Sequence, residues 1–194
     1  MKILLFTDIH AEKESLVQIV EKSKDCDVMV CCGDASIFGS GLKKIIKILA
    51  SCKKQLFITH GNHEMISEMK EVCVKDNVCF LHKNSVEFEG VIFAAYGGGG
   101  FSEVDERLEQ WASKLKIDSD KKLVLFTHAP PYDTKLDKLP HLGHRGSRSV
   151  RKAIDCLNPD IFASGHFHET FFEQEKIGKT LLINPGNGGT LITL

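Results

Sequence analysis

Asn62 and His63 stand side by side in the stretch Ile58-Thr59-His60-Gly61-Asn62-His63-Glu64, directly after an apolar run. Asn62 offers a carbonyl oxygen to a hard or borderline cation, and His63 can give up a proton near neutral pH without being a ligand itself. By itself the stretch reads as a polar turn before a helix starting near Glu64, since Gly-Asn is a turn dipeptide. Four other apolar runs end in the same way, however, in Asp8-Ile9-His10, in Gly33-Asp34, in Thr127-His128 and in Gly165-His166-Phe167-His168. Asp-x-His and His-x-His each set two ligands two residues apart, a spacing that suits an extended segment or a loop wrapped round a cation. Two Asp, one Asn and four His make seven donors before His63 is counted, too many for one tetrahedral zinc ion. Two cations sharing a carboxylate suit the set better. Carboxylate, amide and imidazole donors without thiolate favour manganese, iron or zinc over copper(I) or an iron-sulfur cluster. Such a pair, about 3.5–4 Å apart, holds a hydroxide at neutral pH and clamps phosphoryl oxygens through an in-line displacement.

The elements that must position these residues are strands buried on both faces. Ile3-Leu4-Leu5-Phe6, Val28-Met29-Val30-Cys31-Cys32, Leu56-Phe57-Ile58, Leu123-Val124-Leu125-Phe126 and Ile161-Phe162-Ala163 are short continuous apolar runs of that kind. Between them, Leu16, Ile19 and Val20, then Leu42, Ile45, Ile46 and Leu49, recur at helical spacing among charged residues. Further helices are expected around Leu108, Trp111 and Leu115, and over Val150, Ile154 and Leu157, the last capped by Ser147 or Ser149 and ended by Asn158-Pro159. Between Val78 and Ala95, alternating runs broken at Lys83-Asn84 and Glu89-Gly90 predict antiparallel hairpin strands. Gly97-Gly98-Gly99-Gly100 lets a backbone approach a ligand closely or serves as a flexible linker, and it lacks the spacing of a phosphate loop. In open α/β sheets the carboxyl ends of neighbouring strands face one crevice, so the five sets of donors can converge although they are far apart in sequence.

Composition sets the remaining bounds. The 194 residues suit one domain over 1–194, and 42% hydrophobic with 26% charged residues is ordinary for a globular protein. A formal net charge of -1 gives no general attraction to nucleic acid or anionic membranes, so nucleic acid is not the expected partner. The seven cysteines form no Cys-x-x-Cys pair, which points to a reducing compartment. No apolar run nears the roughly 20 residues needed to span a bilayer, and nothing after Lys2 reads as a cleavable signal. A cytoplasmic location is the expectation, with no membrane association, and the sequence names no protein partner.

The five blocks, in their order, resemble the calcineurin-like metallophosphoesterases, whose signature runs Asp-x-His, Gly-Asp, Gly-Asn-His-Asp/Glu, a lone His and Gly-His-x-His. They cover residues 8 to 168 here, and the absence of long insertions resembles the small phosphodiesterase-like members. The resemblance implies a four-layer α/β/β/α sandwich. It implies that Asp8, His10, Asp34 and His168 hold one divalent cation and that Asp34, Asn62, His128 and His166 hold the other, with Asp34 bridging. Manganese is the first choice of metal, with iron, zinc or nickel as alternatives. His63 matches the family's non-ligand histidine, which protonates the leaving oxygen with a carboxylate nearby to orient it. Asp34 is followed by Ala35-Ser36, where many members carry a further acidic or aromatic residue.

The expected activity is hydrolysis of a small phosphoester, a phosphodiester foremost, by a metal-bridging hydroxide with His63 as general acid. The alternatives are a phosphomonoesterase, a nuclease, or a non-catalytic interaction module like the retromer subunit of the same fold. The loop from Tyr132 to Gly146 is long and follows His128 directly, so His144 and Arg145 are expected to contact substrate phosphate.

Overall fold

Side chains along β1 (Lys2–Phe6) alternate between two apolar layers: Ile3 and Leu5 join one buried cluster and Leu4 and Phe6 another. That alternation is the plan of the whole molecule. In the computed structural model, which describes residues 1–118 and 120–194, β1 is followed by α1 (Lys13–Lys22), β2 (Val28–Cys31), α2 (Leu42–Ser51), β3 (Gln55–Ile58), α3 (Ile66–Val72) and β4 (Val78–Phe80). The chain then runs through β5 (Asn84–Phe88), β6 (Val91–Tyr96), α4 (Glu106–Lys114), β7 (Lys122–Thr127), the short pair β8 (Lys138–Leu139) and β9 (Gly143–His144), and α5 (Arg148–Leu157). It closes with β10 (Ile161–Ala163), β11 (Gln174–Ile177), β12 (Thr180–Ile183) and β13 (Thr190–Thr193).

The first sheet has the order β13-β1-β2-β3-β4, and the second the order β11-β12-β10-β7-β6-β5. Pairing is parallel from β1 to β4 and from β12 to β6, while β13, β11 and β5 are antiparallel edge strands. Ile3, Leu5, Val30 and Phe57 of the first sheet meet Phe93, Val124, Phe126 and Ile183 of the second in one inter-sheet cluster. Leu4, Phe6, Met29 and Ile58 face the other way and pack under Leu16 and Ile19 of α1, Ile45, Ile46 and Leu49 of α2, and Met69 of α3. Leu123, Leu125 and Phe162 do the same beneath Leu108 and Ala112 of α4 and Val150 and Ile154 of α5. The result is the expected α/β/β/α sandwich, in which parallel strands covered on both faces read as unbroken apolar runs.

The helices on the second sheet are anchored by polar caps. Asp105 accepts hydrogen bonds from the backbone N–H groups of Arg107 and Leu108, Ser147 accepts from Val150, and Asn158 ends α5 in a left-handed turn before Pro159. The expectation of antiparallel strands between Val78 and Ala95 holds for the β5–β6 hairpin but not for β4, which pairs in parallel with β3. The turn after β4 is where the chain leaves one sheet for the other, and short apolar strands carry no mark of which sheet they join. Among the described residues, no helix is long and apolar enough to cross a membrane.

Phe126 is fully buried between the sheets. Phe126→Ala should therefore lower the unfolding free energy by about 3–5 kcal/mol. Chemical denaturation measures this, and an unchanged midpoint would remove the residue from the core.

Candidate metal centre

Parallel pairing sends the carboxyl ends of β1, β2 and β3 in the first sheet, and of β7 and β10 in the second, toward one edge of the sandwich. The donors leave the sheets within a few residues of those ends, and the backbone there is forced into unusual turns. Asp8 (φ 49°), His10 (φ 46°), Asp34 (φ 50°) and His166 (φ 71°) all lie in the left-handed region, which non-glycine residues enter seldom. Close approach of the turns also demands glycine: a Cβ on Gly61 would fall 1.9 Å from Asp34 Oδ1, and one on Gly165 2.2 Å from Asp8 Oδ2.

Two groups of donors result. His10 Nε2 lies 3.6 Å from Asp8 Oδ1, 3.2 Å from His168 Nε2 and 3.9 Å from Asp34 Oδ2, and His168 Nε2 is 3.5 Å from Asp8 Oδ1. On the other side of Asp34, His128 Nε2 lies 3.3 Å from Asp34 Oδ2 and 2.9 Å from Asn62 Oδ1, which is 3.1 Å from His166 Nδ1. All seven donors read from the sequence are thus brought together, and Asp34 Oδ2 is common to both groups. His63 Nε2 sits at the border, 3.9 Å from the same oxygen.

This donor set fits two divalent cations. Asp8 Oδ1 is buried with no hydrogen-bond partner, a costly state for a carboxylate oxygen unless a cation faces it. The triads Asp8-His10-His168, His10-Asp34-His63 and Asp8-Asp34-His128 each gather their donor atoms within 4.8 Å. The electrostatics agree. Burial by itself would raise the Asp8 carboxyl, but His10 and His168 hold it well below the usual carboxylate range. Burial would lower His128, yet Asp34 and Asp8 push it up to about 9, so without a cation this imidazole keeps a proton that balances the carboxylates. His166, where burial dominates and His128 adds repulsion, is lowered to about 4 and presents a neutral donor.

Neighbouring groups aim the ligands. Thr7 Oγ1 and the His166 N–H donate to Asp8 Oδ2, which leaves Oδ1 facing the cluster. The His63 N–H donates to Asp34 Oδ1, which leaves Oδ2 free. His128 Nδ1 faces the Cys32 carbonyl at 3.1 Å, an arrangement that fixes the tautomer with Nε2 as the donor to a cation.

Glu64, the last residue of the Gly-Asn-His-Asp/Glu block, has a supporting role that its place in the sequence did not reveal. The helix after the Asn62 turn begins at Ile66, so Glu64 lies outside it, and its buried carboxylate faces inward. It accepts from the backbone N–H groups of Asp34, Ser36 and Gly61 and from Ser36 Oγ, tying the turn after β2 to the turn after β3. The carboxylate expected to orient His63 is not found in that role: His63 Nδ1 is buried without a hydrogen-bond partner. Instead the ring stacks on Phe38, 4.3 Å between centroids, and meets His10 edge-on.

Two other expectations change. His144 and Arg145 do not line the cleft over the donors. His144 Nδ1 is held 2.7 Å from the buried carboxylate of Asp137, which also accepts from the N–H groups of Thr134 and Gly146. The loop from Tyr132 to Gly146 is therefore folded upon Asp137 and buttresses the turn of His168, since Thr170 Oγ1 donates to the Leu136 carbonyl. The glycine run is no slack linker either. The Gly97 N–H donates to His82 Nδ1 and the Gly98 N–H to the His60 carbonyl, while a Cβ on Gly100 would fall 2.6 Å from the His166 ring.

Glu64→Gln would turn one of the oxygens that accept these N–H groups into a donor facing them. A loss of about 1–3 kcal/mol in the metal-free protein is expected, measured by denaturant unfolding. Wild-type stability in that variant would mean that Glu64 does not hold the two turns together.

Comparison with known proteins agrees with this geometry. The calcineurin-like phosphoesterase family model matches residues 1–170. An uncharacterized protein of Methanocaldococcus jannaschii is 33% identical over 200 residues, covering 95% of this chain and 88% of its own. Three solved structures share the fold at low identity. The protein TT1561 of Thermus thermophilus has a TM-score of 0.73 at 16% identity, covering 96% of this chain and 89% of its own. A structure described as a novel archaeal phosphodiesterase has a TM-score of 0.55 at 21% identity, covering 96% and 84%. A dimetal phosphatase from Danio rerio has a TM-score of 0.55 at 11% identity, covering 94% and 86%. A family model matching most of the chain, together with the paired donor groups at the strand ends, makes this protein a member of the calcineurin-like phosphoesterase family.

Proposed function

We propose that this chain, acting as one domain over residues 1–194, hydrolyses small phosphoesters, phosphodiesters foremost. Asp8, His10, Asp34 and His168 hold one divalent cation in this reading, and Asp34, Asn62, His128 and His166 the other. The observation that carries it is the position of Asp34 Oδ2, 3.9 Å from His10 Nε2 and 3.3 Å from His128 Nε2, between the two donor groups. Two divalent cations held there would supply a nucleophile at neutral pH and compensate the charge of the phosphoryl oxygens.

The protein's own part is to orient the ester and to handle its proton. Asn62, the buried imidazole of His128 and the partly buried one of His166 are neutral donors when a cation is bound, so they leave the site's anionic charge to Asp8 and Asp34. His63 Nε2, at the rim of the cluster, carries the proton that the leaving oxygen needs as its bond to phosphorus breaks. Its ring is held by contact with Phe38 and His10. The likeness to an archaeal phosphodiesterase supports a diester over a monoester. Manganese remains our first choice of metal, and a reducing cytoplasmic setting fits the free state of Cys26, Cys31, Cys32, Cys52, Cys73, Cys79 and Cys156.

Metal analysis of purified variants tests the bridge. Asp34→Ala should lose both cations, whereas His168→Ala should weaken one site. Full stoichiometry in the Asp34 variant would refute the shared carboxylate.

The proton role of His63 separates by leaving group. A leaving alkoxide must be protonated, while a nitrophenolate departs as the anion, and general acid catalysis contributes about 10²–10⁴-fold. His63→Ala should keep its metals, lose a factor of that order on an alkyl or nucleoside diester, and lose far less on a nitrophenyl diester. Equal losses on both substrates would make His63 a binding residue, and loss of metal would make it a ligand.

A further inference from the structure

Aromatic rings border the donor cluster on three sides. Phe38 stacks on His63, Phe101 meets His166 edge-on with 4.9 Å between centroids, and Phe171 lies nearly parallel to His168 at the same separation. Phe38 is 77% exposed, Phe101 83%, and Ile37 beside Phe38 is 47% exposed. Single apolar residues scattered over a surface need no explanation, but several converging on one cleft do.

These rings are held in place by the structure around them. Phe38 adopts a left-handed backbone conformation (φ 48°), which is uncommon for a bulky residue. Its turn is tied down through Ser36, which donates to Glu64 and accepts from the Gly39 N–H, and through the Ser40 N–H to the Ile37 carbonyl. Phe101 follows Gly100, whose backbone packs directly on the His166 ring. The chain therefore uses strained and glycine-dependent backbone to place two phenyl rings beside the cluster, Phe38 on His63 and Phe101 in the lining of the cleft.

The cleft itself, about 380 Å³, is lined by Ile37, Phe101, His63 and donor residues. No lysine or arginine is among the described residues that line it. Beyond the metal donors and His63, nothing in the lining would attract a second phosphate or a carboxylate on the substrate. What it does offer is flat apolar surface, and aromatic rings prefer to pack against other rings. Phe38 lies on the side of the imidazole assigned to the leaving oxygen, and Phe101 lies on the side of His166.

We propose that Phe101 and Ile37, the two apolar side chains lining the cleft, form an apolar clamp for a planar aromatic ester group, so that the preferred substrates are phosphodiesters carrying an aromatic ring beside the ester oxygen and no further anionic group. The proposal rests on the phosphoesterase reading above and names the substrate class for that site.

Binding of phosphonates, which carry a phosphorus-carbon bond and are not turned over, tests the clamp apart from catalysis. Calorimetry on the metal-loaded protein should give phenylphosphonate about tenfold tighter binding than methylphosphonate, a ratio worth about 1.4 kcal/mol. In Phe101→Ala and Ile37→Ala the ratio should fall toward one, while methylphosphonate affinity and metal content stay as in the wild type. Equal affinity of the wild type for both phosphonates overturns the clamp and leaves the phosphoesterase reading standing. A parallel loss of both ligands in the variants also overturns it, since these side chains would then be supports of the metal site. Failure of both phosphonates to bind fully metal-loaded protein, with no ester cleaved, would overturn the clamp and the phosphoesterase reading together.

Discussion

The division of labour between the two oxygens of Asp34 is the constraint from which the rest of the site follows. Oδ1 accepts the His63 N–H, and Oδ2 is left to face imidazoles from both sheets. For that to happen, the turn after β2 and the turn after β3 must nearly touch, and the contact of Gly61 with the Asp34 carboxylate leaves no room for a side chain. Glu64 then links the same two turns from behind, accepting from Asp34, Ser36 and Gly61. One carboxylate thus presents an oxygen to the cleft, and a second, out of reach of it, fixes the turn that does so.

Gathering this many ionisable groups at a strand edge is unfavourable unless their charges alternate. Asp8 and Asp34 are buried, and so is the His128 that faces both. His10 and His168 lower the Asp8 carboxyl against its burial, while Asp34 and Asp8 raise His128, so the cluster by itself is a network of compensated charges rather than a set of isolated ones. Thr7, the Cys32 carbonyl and the backbone N–H of His166 add further hydrogen bonds, and each also orients a donor. Orientation and charge balance are achieved by the same contacts.

The parts legible in the sequence were those with a strong local signature. Continuous apolar runs announced the five central strands because helices cover both sheets, and the polar residues closing those runs announced the donors. Asn62 and His63 were readable on the same ground. Glu64 was not, because an acidic residue ahead of a helix looks like ordinary N-terminal charge and its partners lie in a different turn. Phe38 and Phe101 sit in loops, where an apolar residue has no period to betray its purpose. His144 and Arg145 looked apt for phosphate because of their charge and their place after His128, but Asp137, a buried anchor inside the same loop, already claims His144. The membership of β4 was invisible for a simpler reason: which sheet a short strand joins is decided by distant partners.

Neither sheet owns the site. The first contributes Asp8, His10, Asp34 and Asn62, the second His128, His166 and His168, and each donor group draws on both. The edge where they meet is a seam, held in register by the side chains of Phe57, Phe93, Phe126 and their neighbours between the layers. A partly melted state that kept its strands and helices but let the layers slide would therefore lose the cluster first, before any secondary structure disappeared. Conversely, a cation gripping donors from both layers acts as a rivet across the seam, stabilising the native packing in proportion to its occupancy. Metal supply, through that rivet, would govern how long the folded molecule survives as well as how fast it works.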